Sequence, residues 1–164
     1  YYSSRGRAML AKIVTSSAGR IAAARAAPAL FTATRGHCQV PCGIFDDPVR
    51  VELMKEDAAT VRKAMIQINE LAGTPSAQSL NQATRWIIVK EDSAKNIITT
   101  VSEYMLAQRV KKELFADEAE YKEALMAHHT LMQAAVKTKQ VVDIAACDVL
   151  DHAIADVGAM YVKK

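Results

Sequence analysis

No aspartate or glutamate occurs in the first 36 residues of this 164-residue chain, although the sequence as a whole holds 18 of them. That stretch carries six basic residues, Arg5, Arg7, Lys12, Arg20, Arg25 and Arg35, and the formal charge of +3 therefore conceals two regions of opposite sign. Residues 37–164 hold 15 basic and 18 acidic residues, a net of −3. A nucleic-acid role suggested by the basic balance loses its support, because the excess positive charge lies outside the expected folded domain. Proline and glycine are also sparse, at four and six, and aromatic residues make up only 5%. The apolar half of the sequence is mostly Ala, Val, Ile, Leu and Met, a helical composition with no competing strand pattern. No run of about 18 apolar residues is present, so the sequence offers no membrane-spanning helix. Cysteine is scarcer still: Cys38 and Cys42 stand close together and Cys147 stands alone. The length suits one compact domain with a sizeable core.

The acid-free stretch is rich in Ala, Ser, Thr and Arg, with its arginines spread among small and apolar residues as in an amphipathic helix. It reads as an organelle transit peptide, for mitochondrion or plastid. Arg20 and Arg25 break up what a secretory signal would keep as one apolar core. A basic, disordered or nucleic-acid-binding arm is the alternative. Tyr1 is no ordinary initiator, and Met9 is the expected start. Arg35-Gly36 matches the end of a mitochondrial-type presequence and would leave His37 first in the mature chain. The domain division expected is 1–36 as presequence and 37–164 as the functional domain, with residues 37–46 a metal-binding hook and 47–164 a helical bundle.

The segment HCQVPCG, residues 37–43, packs a histidine, two cysteines, a proline and a glycine into seven positions. If His37 is the first residue, its α-amine and the amide nitrogen of Cys38 close one chelate ring, and that nitrogen and the Cys38 sulfur close a second. Cys42, brought back by Pro41, completes a square of two nitrogens and two sulfurs, and the His37 imidazole can reach the axial position. Such a donor set argues for Ni(II) or Cu(II) and against Mg, Ca or Mn. A tetrahedral zinc site would want a further side chain that is not nearby. A free α-amine and a thiol each cost only about 1 to 2 kcal/mol to deprotonate at neutral pH. The amide proton is far less acidic, and only a metal that binds strongly in a plane displaces it. An anionic amide with two thiolates would stabilise Ni(III) enough for one-electron cycling. The competing account is a Cys38–Cys42 disulfide or two structural thiols in a loop.

HCQVPCGIFDD resembles the nickel superoxide dismutase family, whose mature proteins begin H-C-x-x-P-C-G, and the helical remainder resembles it more weakly. The resemblance implies that His37 gives amine and imidazole, Cys38 amide nitrogen and thiolate, and Cys42 thiolate, with Pro41 and Gly43 shaping the hook. It implies disproportionation of two superoxide anions and two protons to oxygen and hydrogen peroxide by Ni(II)/Ni(III) cycling, an antioxidant activity. It also implies exposure of His37 by a processing protease, delivery by a nickel chaperone, and a homohexamer. Gln39 stands where Asp is frequent, and Phe45 where a Tyr usually lines the substrate channel. A carboxylate would orient the His37 ring, for which Glu52 is the candidate, and an arginine would stand beside it, for which Arg85 is the candidate. Arg50 and Lys90 are candidates for drawing in the anion, and Tyr104 is either a polar group near the channel or a core tyrosine with one hydrogen bond.

The scaffold reads as an all-α, antiparallel four-helix bundle. Asp47 and Pro48 suit an N-cap and first helical residue. Met54, Ala58, Val61, Met65, Ile68 and Ala72 step by four and three, and Gly73-Thr74-Pro75 ends the run. A second helix is expected over about 78–112, with Leu80, Ile87, Ala94, Ile98, Val101 and Met105 on one stripe. A third should run from about Asp117 to Lys137, and a fourth should hold Val142, Leu150, Ile154 and Val157. Cys147 falls on an apolar face as a buried small hydrophobe. His128 and His129, adjacent on a helix, point apart and suit solvated or interface positions. Most methionines and Trp86 suit core packing. Beside the dismutase stand two other readings: a nickel or copper carrier that uses the same hook without turnover, and a helical interaction protein with an N-terminal disulfide.

Overall fold

The computed structural model describes residues 46–162. Helix α1 spans Asp47–Ala72, α2 Ala77–Thr99, α3 Glu118–Gln140 and α4 Ile144–Gly158. Between α2 and α3 the chain continues as a π-helix over Thr100–Arg109 and a short 3-10 turn over Lys112–Leu114. No strand occurs among the described residues. Each helix packs on the next, and α4 returns to pack on α1, which closes an antiparallel four-helix bundle.

The caps follow the sequence with one displacement. Asp117 accepts from the backbone N–H of Glu120 at the start of α3, and Asp143 accepts from Ala145 at the start of α4. Ser76 and Ser79 form a reciprocal capping box that opens α2 after the Gly73–Pro75 turn. At α1 the N-cap is Asp46, one residue before the expected Asp47, and no side-chain cap is formed among the described residues. The carboxylate of Asp47 is engaged elsewhere, by Tyr104 and Arg109.

The main core joins all four helices through Val51, Met54, Ile97, Leu131, Leu150 and Ile154, each essentially buried. A smaller cluster of Val61, Met65, Ala94 and Cys147 continues it along the bundle. The α1 seam is buried through Met65, while Ile68 is half-buried and Ala72 exposed. The expected stripe on the second helix is correct only at its carboxyl end. Leu80 is 70% and Ile87 44% exposed, and the inward face of α2 is instead carried by Ser79, Lys90, Ser93, Ala94 and Ile97. Val142 lies before α4 and is exposed. Of the methionines, Met54, Met65 and Met105 are fully buried, whereas Met126 and Met160 face outward.

The expected single helix from 78 to 112 changes its hydrogen-bond ladder at Thr100. Its last backbone bond runs from the N–H of Val110 to the carbonyl of Met105, five residues back, and the Gln108 side chain donates from Nε2 to the carbonyl of Glu103. Such i to i+5 segments are rare. Here it serves the site described next.

Candidate functional site

His37, Cys38, Gln39, Cys42 and Phe45 lie outside the described residues. The described residues begin directly after Phe45, at Asp46 and the start of α1. Asp47, in the first turn, directs each carboxylate oxygen to a different partner: Tyr104 Oη donates to Oδ1 at 2.6 Å, and the Arg109 guanidinium pairs with Oδ2. The Asp47 and Arg109 side chains are 15% and 19% exposed, and Tyr104 is 9% exposed. One turn further along α1, the Arg50 guanidinium lies 5.3 Å from the Tyr104 ring centroid, within cation–π range. Burial first, and then the hydrogen bond to Asp47 and its charge, push the Tyr104 hydroxyl above its usual range, so it remains a donor. Arg109 Nε is buried without a partner among the described residues.

The spacing of the two gripping residues explains the π-helix. Tyr104 and Arg109 are five apart, and on an α-helix of 3.6 residues per turn they would point about 140° away from each other. A ladder closed over five residues holds more residues in each turn and brings them back towards one face. Without that register one carboxylate could not be gripped from both positions.

Beside this contact is a cavity of about 310 Å³, walled by Val110, Leu114, Phe115 and Met160 and bordered by Asp47, Arg109, His128 and Tyr161. His128, expected to be solvated or at an interface, is completely buried. Its Nδ1 lies 2.7 Å from the Ala124 carbonyl and its Nε2 2.7 Å from Tyr161 Oη. A carbonyl only accepts, so Nδ1 carries the hydrogen, and Nε2 accepts from the tyrosine. Burial lowers the tendency of His128 to protonate, against the opposing pull of the Ala124 carbonyl. His129 is exposed.

The other sequence candidates fall apart from one another. Glu52 is exposed near the start of α1 and pairs with Lys55 at 2.8 Å. Arg85 is exposed on α2, in a surface groove with Gln67, Gln82, Trp86 and Val89. Since Arg85 is level with Gln67, it stands about 22 Å along the bundle from Glu52 at 1.5 Å per residue, and the two do not meet within this chain. Lys90 is only 3% exposed, and its ammonium donates to the carbonyls of Thr138 at 2.9 Å and Lys139 at 2.6 Å and to Glu91 at 3.0 Å. It closes the end of α3 and is not open to an approaching anion. The contact of Tyr104 and Arg109 with Asp47 escaped the sequence reading because a spacing of five carries no α-helical signal.

Among the described residues no group of three or more His, Cys, Asp or Glu side chains is placed to hold a metal. Cys147, the one cysteine there, is buried with its Sγ 3.4 Å from Met65 Sδ. Desolvation above all keeps its thiol protonated, whereas metals bind thiolates. The remaining cysteines, Cys38 and Cys42, stand with His37 in one seven-residue stretch, a soft nitrogen and sulfur donor set that fits nickel.

The helical bundle, together with the His and Cys donors that the sequence carries ahead of it, fits the class of helical-bundle metalloenzymes. The family model for nickel-containing superoxide dismutase matches residues 32–164. The chain belongs to that family: it is an oxidoreductase acting on superoxide, with nickel as its cofactor. No curated protein and no solved structure matches the chain.

Proposed function

We propose that the chain disproportionates two superoxide anions and two protons to oxygen and hydrogen peroxide after cleavage before His37 exposes the metal-binding amine. The observation that carries this reading is the family match over 32–164, which contains HCQVPCG at 37–43. His37 would hold nickel through amine and imidazole, Cys38 through amide nitrogen and thiolate, and Cys42 through thiolate. When bound, nickel supplies the Ni(II)/Ni(III) couple by which one superoxide is oxidised and the next reduced. Glu52, exposed near the start of α1, would orient the His37 ring. Arg85 would join it only across a subunit boundary. With Phe45 and Gln39 in place of a phenol and a carboxylate, water or other residues would order the substrate.

Residues 1–36 act as the transit peptide, residues 37–46 as the hook, and the mature enzyme works in a mitochondrion or plastid after a processing protease and a nickel chaperone have acted. A homohexamer is supported by the outward apolar residues of α2, Leu80, Ile87 and Ile88, at 70%, 44% and 55% exposed.

The test is superoxide disproportionation by nickel-loaded protein beginning at His37, beside the same protein retaining Gly36. Activity confined to the first is expected. Inactivity of both, despite bound nickel and an intact bundle, refutes the reading. Light scattering would report the hexamer, and Leu80→Glu with Ile88→Glu should disperse it.

A further inference from the structure

We infer that Asp47, gripped by Tyr104 and Arg109, is a positioning residue that sets where the amino-terminal hook leaves the bundle. The inference rests on the reading of residues 37–43 as the nickel hook. Five peptide units separate Cys42 from Asp47, which limits their Cα atoms to about 18 Å apart even when fully extended. Asp47 therefore anchors one end of the short tether that carries the last proposed hook ligand.

Three features set this contact apart from ordinary helix anchoring. An aspartate in the first turn would be well used as a cap or against the helix dipole, yet α1 has no side-chain cap among the described residues and Asp47 turns instead to the π-helix. The π register over Thr100–Arg109 is what brings Tyr104 and Arg109 onto the same carboxylate. Gln108 Oε1 and Arg109 Nε, in the same segment, are buried without partners among the described residues, a cost the fold bears there. Arg50 steadies the same point through the Tyr104 ring.

The grip acts through the backbone and touches neither metal nor substrate, so its removal should loosen the metal site more than the bundle. Supporting residues of this kind typically change metal affinity by about 10- to 100-fold. Chains beginning at His37 would be compared as wild type, Asp47→Asn, Arg109→Gln, Arg109→Lys and Arg62→Met. The readouts are the rate of nickel loss to a chelator, the visible absorption spectrum of the bound nickel, and the melting midpoint. Arg62 pairs with Asp148 and Asp151 at 2.7 Å each, far from Asp47, and controls for loss of an ion pair in general. Asp47→Asn and Arg109→Gln should lose nickel about tenfold faster or more with an altered spectrum. Arg109→Lys should recover most of the retention, and Arg62→Met should behave as wild type in both nickel readouts. Wild-type retention and spectra in Asp47→Asn and Arg109→Gln would overturn the positioning role and leave the hook standing. An equal disturbance in Arg62→Met would reduce the effect to general stability and overturn it too. A wild-type chain that holds no nickel would overturn the hook itself, and the positioning role with it.

Discussion

Replacing Lys90 by Met separates two roles that the sequence left open, attraction of an anionic substrate and closure of a helix end. Methionine keeps the aliphatic stem and its packing while removing three donors. Two of these serve the carbonyls of Thr138 and Lys139, in the last turn of α3, where the helix has no partners of its own to offer. Each carbonyl left unpaired in a buried setting costs about 1–3 kcal/mol. Release of a buried ammonium from its desolvation offsets part of this, for a net loss of about 2–4 kcal/mol. For a bundle of this size the melting midpoint should fall by roughly 8–15 °C. Circular dichroism melts would give that shift, and kcat/KM against ionic strength, read well below the midpoint, would test the other role. The folded variant should keep its kcat/KM and its salt dependence. An unchanged midpoint together with a lower, less salt-sensitive kcat/KM would refute the argument and return Lys90 to substrate steering.

Because burial holds the folded-state pKa of His128 below its ordinary 6.5, the unfolded chain takes up a proton before the folded one does. Stability from this residue is therefore intact above about pH 6.5 and lost progressively as pH falls towards the lowered value, and urea midpoints of wild type and His128→Gln should show that slope in wild type alone. Gly158→Ala would place a Cβ 2.9 Å from Val51 Cγ1, and overpacking of about 1–3 kcal/mol should outweigh the gain in helix propensity, which urea denaturation would register as a lower midpoint. Cys147→Ala should leave nickel content by metal analysis unchanged, and a loss of bound nickel would refute its placement in the core.

What the sequence revealed and what it concealed divide along physical lines. Asp117 and the run from Met54 to Met65 were legible because caps and a three-four spacing are local signals, and both are in place. Helix α2 misled because much of its inward face is polar: Ser79 serves the helix's own cap, Lys90 the end of α3, and Ser93 the Asp57 side chain of α1. An apolar stripe through Leu80 and Ile87 marks the opposite, exposed face. The π-helix was illegible because its ladder leaves no compositional trace, and with it the joint hold of Tyr104 and Arg109 on Asp47. His128 was misplaced because its burial depends on Ala124 and on Tyr161, 33 residues further along the chain. HCQVPCG, residues 37–43, stands out in the sequence because its spacing is written in seven consecutive residues, and it lies outside the described residues.

The cavity bordered by Asp47 also has Tyr161 and Val162 in its wall. An even number of antiparallel helices returns the chain to the pole from which it started, and here the start of the first helix and the residues just after the last share one hollow. Anything fused after the last helix, such as a purification tag or a fluorescent domain, begins its path next to the junction with the amino-terminal segment. The carboxyl end is therefore the less innocent place for a fusion, and an insertion into the Gly73–Pro75 turn at the opposite pole would be the gentler choice.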